Sequence, residues 1–241
     1  MRKKGRFAIK TVKLTTVIVV VAALVFSVAA IAIGATWSEE VPASSPQKRI
    51  KVVLDAGHGG IDAGVVGQNG TKESDFNLAM TFVLKDLLTQ SGCLVVLTRS
   101  DENGLYGDVD KNFKRADMKK RKEIVQSADP DILISVHANK YPSSDRRGAQ
   151  VFFDDFCPAG RDLAASIQDQ FNTLNARHVG RTYSALAGDY YMLKLTRAPS
   201  VIVECGFLSN PEDEALLNDE NYRRQLAEAI ACGVKEYLSN Q

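Results

Sequence analysis

The apolar pattern is continuous at the start of the chain and periodic everywhere after it. Residues 14 to 38 carry no charge, and Val17 to Phe26 is an unbroken apolar run continued by Ile31, Ile33 and Trp37. A helix of roughly 22 to 24 residues is about 33 to 36 Å long, enough to cross a hydrocarbon core of ~30 Å. The segment therefore predicts a transmembrane helix. From residue 50 onward short β-branched runs alternate with helical spacing. Ile50 to Leu54 reads as a strand that runs into a Gly-rich loop, Asp55 to Gly60. Phe76, Met80, Val83, Leu84 and Leu87 place a helix over Glu73 to Gln90, closed by Gly92.

The alternation continues. Strands are predicted at Leu94 to Thr98, Asp131 to Val136, Ala149 to Phe153 and Ser200 to Val203, and helices over Phe113 to Ser127, Ala159 to Leu174 and Tyr222 to Leu238. Asn210-Pro211-Glu212-Asp213 opens a further helix, with a capping Asn, Pro at the first helical position and acids at the positive dipole end. Strands separated by helices imply an α/β single domain: a mostly parallel twisted sheet of about six strands with helices on both faces, behind the N-terminal transmembrane helix. The expected organisation is a basic cytoplasmic head (1–13), a transmembrane anchor or signal segment (14–38), a Pro/Ser linker (39–48) and a catalytic domain (49–241).

Charge sharpens this picture. Six Lys and Arg residues precede residue 39 with no acid among them, so the formal net charge of +1 becomes −5 once they are set aside. Basic residues before the apolar run and Glu39 and Glu40 after it put the head inside and the body outside the membrane. A small-residue spacing at Ala30-Ile31-Ala32 and Ala32-Ile33-Gly34 keeps a cleaved signal segment as the alternative to an anchor. An acidic body argues against a nucleic-acid partner. Cys93, Cys157, Cys205 and Cys232 are far apart in sequence and mostly in apolar runs, so buried free thiols are expected rather than disulfides or a CxxC metal site.

In open α/β sheets ligands bind beyond the carboxyl ends of the strands. His58 follows the first strand, His137 the third and Glu204 the last buried one, while Glu73 opens the helix that leaves the His58 loop. Two His and a Glu around one ion, with a second unliganded Glu, is the set a catalytic zinc needs. Each residue also has a plain reading. His58 could belong to a turn or an anion-binding nest, Glu73 could be an acid favoured by the helix dipole, and His137 could be a hydrogen-bonded strand-end histidine. Glu204 is harder to explain away, because a carboxylate closing a buried strand is costly unless paired or functional. His178 reads as a surface residue in a polar connection, and Lys119 to Lys122 as a solvated helix face. Three histidines exclude HExxH chemistry, no third glycine completes a phosphate fingerprint, and no Gly-x-Ser-x-Gly elbow occurs.

Four segments, Val53 to Gly60, Lys72 to Asp75, Ile134 to Asn139 and Val203 to Pro211, resemble in order and spacing the zinc-dependent N-acetylmuramoyl-L-alanine amidases. The similarity runs from Ile50 to the C-terminus. It implies one zinc ion per chain held by His58, Glu73 and His137, Glu204 as the catalytic acid/base, and peptidoglycan as substrate. Asp55 or Asn139 is expected to support a ligand or the substrate. The membrane-anchored layout, without wall-binding repeats, and the stretch from Tyr191 through Leu217 are most similar to the germination-specific branch, which trims stem peptides in spore cortex so that a deacetylase can form muramic-δ-lactam. That resemblance implies an extracytoplasmic site tethered through the membrane helix, on the forespore or cortex side, with an accessory activating protein left open. The alternatives are a general vegetative wall amidase and a catalytically silent wall-binding or activating protein. Cys205 departs from the aliphatic residue common in the family.

Overall fold

A computed structural model describes residues 14–35, 48–108 and 111–241. The expected basic head and most of the linker lie outside the described residues. Helix α1 spans Leu14–Ala35, inside the predicted 14–38 segment. Its described side chains are Thr15 and residues 18–27, all exposed. Among the described residues no helix is long and apolar enough to cross a membrane, so they do not support the predicted transmembrane helix.

Lys48–Gln241 forms one compact unit. Its strands are β1 (Lys51–Ala56), β2 (Leu94–Leu97), β3 (Ile132–Asn139), β4 (Gln150–Phe153), β5 (Leu186–Ala187) and β6 (Ser200–Phe207), and its helices are α2 (Glu73–Gln90), α3 (Phe113–Ala128), α4 (Pro158–His178), α5 (Pro211–Asn218) and α6 (Glu220–Ser239). The strands make a single six-stranded sheet in the order β2-β1-β3-β6-β4-β5. The first four are mutually parallel; β4 runs antiparallel to β6, and β5 is parallel to β4. This is the mostly parallel α/β sheet that the alternating pattern predicts.

Both faces of the sheet are covered, which is why the central strands are apolar at every position rather than at alternate ones. On one face Val52, Leu54, Ile134 and Val203 pack with Met80 and Leu84 of α2, Ile167 and Phe171 of α4 and Ile230 of α6. On the other, Val53, Leu133 and Ile202 meet Val125 of α3 and the turn at Met192 and Leu193. The chain enters β1 at the amino edge of the sheet and leaves it toward the His58 loop at the carboxyl edge.

Most boundaries fall where the local chemistry puts them. Asn210 accepts from the backbone N–H groups of Glu212 and Asp213 with Pro211 behind it, so α5 starts as expected. Helix α4 differs: it continues four residues past Leu174 and ends before Gly180, whose positive φ of 71° and N–H bonded to the Asn175 carbonyl close the helix. His178 thus belongs to the last turn of a helix, its ring edge-on to Tyr222 at 5.1 Å and its Nε2 buried without a partner, and not to an exposed connection. The four cysteines are free; Cys93 and Cys205 are buried as expected, Cys157 is half-buried and Cys232 is exposed.

Candidate metal centre

Three elements deliver the predicted donors to the carboxyl edge. β1 ends in a loop where His58 adopts φ of 62°, a left-handed conformation unusual for a residue with a side chain. Glu73 is the first residue of α2. Its N–H donates to the Val65 carbonyl at 2.8 Å and its Oε2 accepts from the Val65 N–H at 2.9 Å, so the carboxylate is turned back over the helix start. His137 lies inside β3 rather than at its end, since the strand continues to Asn139.

Glu73 Oε1 is 2.8 Å from His137 Nδ1 and 3.3 Å from His58 Nε2. One donor atom from each of the three residues falls within 4.8 Å of the other two. Four ligands at about 2.0 to 2.1 Å around a tetrahedral ion stand ~3.3 Å apart, so the donor set fits a single ion with little rearrangement. His58 Nδ1 lies 3.0 Å from Asp62 Oδ2. A carboxylate there can accept the Nδ1 proton, so that Nε2 is the nitrogen that would face an ion once His58 is neutral. Asp62 is the neighbour of the site that sequence reasoning missed; the signal was an acid four residues after His58. Asp55 does not support a ligand side chain. It is buried and accepts from Thr98, Ser135 and Arg121. Asn139 accepts the N–H of Lys140 and, among the described residues, makes no hydrogen bond to the three donors.

Two glycines make room for this arrangement. A Cβ on Gly57 would sit inside the His137 ring, and one on Gly64 would meet Glu73 Oε2. A cleft of about 210 Å³ opens beside the site, with both imidazoles at its floor and Phe113, Lys114 and Met118 of α3 along one wall.

Glu204 occupies β6 at the register position of His137 on β3, and a register shift follows immediately between His137 and Asn139. Such an irregularity redirects side chains next to functional sites. Glu204 is 9% exposed, and its Oε2 is buried with no hydrogen-bond partner. Burial pushes its carboxyl up to about 7, with the neighbouring Glu73 carboxylate adding to the shift and His137 opposing it. Glu73 goes the other way: burial raises it, but hydrogen bonds from His137 and His58 outweigh that and hold it well below the carboxylate range. The same contacts raise the imidazoles against the effect of burial, His58 to about 9. Two nearby carboxyl groups with opposite shifts mark different jobs.

Fold and site together define a class: an α/β protein with three converged donors that could hold a metal ion and a free buried acid beside them. Residues 52–236 match the family model described as N-acetylmuramoyl-L-alanine amidase. The chain belongs to that family and is an N-acetylmuramoyl-L-alanine amidase of peptidoglycan. Its likeness runs to the germination-specific branch. It is 32% identical over 203 residues to the germination-specific N-acetylmuramoyl-L-alanine amidase of Bacillus subtilis, covering 83% of this chain and 84% of that one. It is 36% identical, with a TM-score of 0.75 over 80% of this chain and all of the other, to the CwlD amidase of Clostridioides difficile solved in complex with the GerS lipoprotein. The catalytic domain of CwlV from Paenibacillus polymyxa is 32% identical, with a TM-score of 0.67 over 80% of this chain and 99% of that one.

Proposed function

We propose that the chain is a zinc-dependent amidase that cuts the bond between the muramic acid lactyl group and L-alanine, with His58, Glu73 and His137 as the zinc ligands and Glu204 as acid/base. The observation that carries this reading is the unpartnered Glu204 Oε2 next to three converged donors. Bound there, zinc supplies Lewis acidity, polarising a carbonyl and making water acidic near neutral pH. Glu204 Oε2 takes the proton of the attacking water and returns it to the alanine nitrogen as the C–N bond breaks, a transfer open to it because that oxygen has no other partner. Asp62 holds the His58 ring in its ligating tautomer throughout. A silent binding protein has no use for a buried, unpaired carboxyl group that costs folding energy.

The substrate we assign is spore cortex, with trimmed muramic acid passing to a deacetylase that forms muramic-δ-lactam. The likeness to the germination-specific enzyme of Bacillus subtilis supports this. Residues 14–38 serve as the membrane anchor: α1 is an uncharged helix of 22 residues, and its described apolar side chains are bare, Phe26 being 80% exposed. The flanking charges favour an extracytoplasmic catalytic domain, residues 49–241. A lipoprotein partner is suggested by the complex of the Clostridioides difficile relative. Zinc analysis of the purified chain beside muropeptide digests of cortex and of vegetative wall tests the whole reading. Peptide release from vegetative wall alone would replace the cortex assignment with a general wall amidase, and full turnover without metal would end the zinc mechanism.

A further inference from the structure

Beneath the site lies a buried ionic cluster that the reaction itself does not use. Arg121 is 2% exposed, although it sits within the run of cations from Lys119 to Lys122. Its Nε donates to Asp117 Oδ2 and its Nη1 to Asp55 Oδ1, each at 2.5 Å. The remaining donors go to backbone: Nη1 reaches the Ala56 carbonyl at 2.7 Å and Nη2 the His58 carbonyl at 2.6 Å. Arg99 takes the carbonyls of Ala56 and Gly57 at 2.9 and 3.1 Å. Three successive carbonyls are thus fixed by two guanidinium groups; the peptide plane that follows His58 is held at its carbonyl by Arg121 and at its other end by the Gly59 N–H, which donates to the Asp62 carbonyl at 2.9 Å.

That peptide is the one needing restraint. A non-glycine residue at φ of 62° is strained relative to ordinary backbone, and relaxing it would swing Nε2 away from Glu73. A planar fork reaches two carboxylates and two carbonyls from three separate nitrogens, whereas a lysine ammonium offers three donors from a single point and cannot span all four.

We infer that Arg121 is a positioning residue for zinc: it locks the left-handed backbone at His58, so that the imidazole is preset for the ion before the ion arrives. This rests on the zinc reading above. Arg121→Lys keeps the charge and loses the fork. In the full chain in detergent, zinc affinity measured by chelator competition should fall about 10- to 100-fold, the range for groups that orient a metal ligand. The visible spectrum of the cobalt-substituted protein should change at saturation, while the far-UV circular dichroism of the metal-free form stays that of wild type. A folded Arg121→Lys protein with wild-type zinc affinity and an unaltered cobalt spectrum overturns the inference and leaves the zinc reading intact. A wild-type chain that binds no zinc removes both. Should Arg121→Lys not fold, Asp117→Asn carries the test, because it keeps an acceptor for Leu105 N–H and only loosens the guanidinium: zinc affinity several-fold weaker supports the inference, and wild-type affinity overturns it.

Discussion

His137 and Glu204 stand at matched positions on two adjacent parallel strands, so their side chains leave the same face of the sheet about 4.8 Å apart at the backbone. One is committed to Glu73 at 2.8 Å, and the other has an oxygen with no partner. The backbone ladder, rather than a flexible loop, therefore sets the spacing between ligand and base. Replacing the base while keeping its shape separates the two roles. Glu204→Gln should retain zinc and lose about 10² to 10⁴ in turnover, read by peptide release from muropeptides beside metal content. Unchanged turnover would show that the proton moves through another group.

Asp62 offers a milder lesion. Asp62→Asn keeps a hydrogen-bonding group at 3.0 Å from His58 Nδ1 but no longer fixes which ring nitrogen is protonated. Zinc affinity should weaken roughly 10- to 100-fold with little change in melting temperature. Equal affinity in a competition titration would mean that the tautomer is set elsewhere.

Gly57 tests the packing beneath His137. An added Cβ meets the imidazole ring itself, so Gly57→Ala should displace the ligand and destabilise the fold by roughly 1 to 3 kcal/mol, as overpacking does. Zinc content and a denaturation curve read the two effects separately. Gly70, where a Cβ meets nothing within 4 Å but φ is 87°, is the control: Gly70→Ala should strain the turn and leave zinc binding alone.

Protons and zinc compete at this site. In the metal-free protein His58 stays protonated up to about 9 and His137 is raised as well, because hydrogen bonds to Glu73 outweigh burial. Ligating imidazoles are neutral, so apparent zinc affinity should climb with pH up to about 9, up to roughly tenfold per pH unit for each proton released. The stability of the metal-free form should move the opposite way. The His58 contribution is complete below its unfolded pKa of 6.5 and disappears as pH rises through about 9. Glu204, raised from 4.5 to about 7, favours the fold while neutral and penalises it as it ionises across that interval. Metal-free protein should therefore lose on the order of a few kcal/mol between pH 4.5 and 9. Melting curves across that range check it, and a rising profile would contradict these shifts.

The four central residues were legible because each is tied to a strand end or a helix start, and those boundaries are marked by apolar runs and glycines. His58, Glu73, His137 and Glu204 could be placed at one edge without knowing a single distance. What was hidden depends on side-chain direction. Arg121 reads as one more exposed cation in a basic run, yet Asp117, Arg121 and Val125 recur every fourth residue and form the buried line of α3; Asp117 and, from 66 residues away, Asp55 together make that burial affordable. The extension of α4 to His178 was signalled by Gly180, beyond a polar stretch that looked like a loop. Strand β5, two residues long, is too short to show a period.

The polypeptide enters this sheet at one rim and performs its chemistry at the other, with the length of β1 between them. The start of β1 at Lys51 and the loop that carries His58 thus lie at opposite ends of one buried strand. The edge where the polypeptide comes in is not the edge that a bulky, insoluble polymer would have to approach.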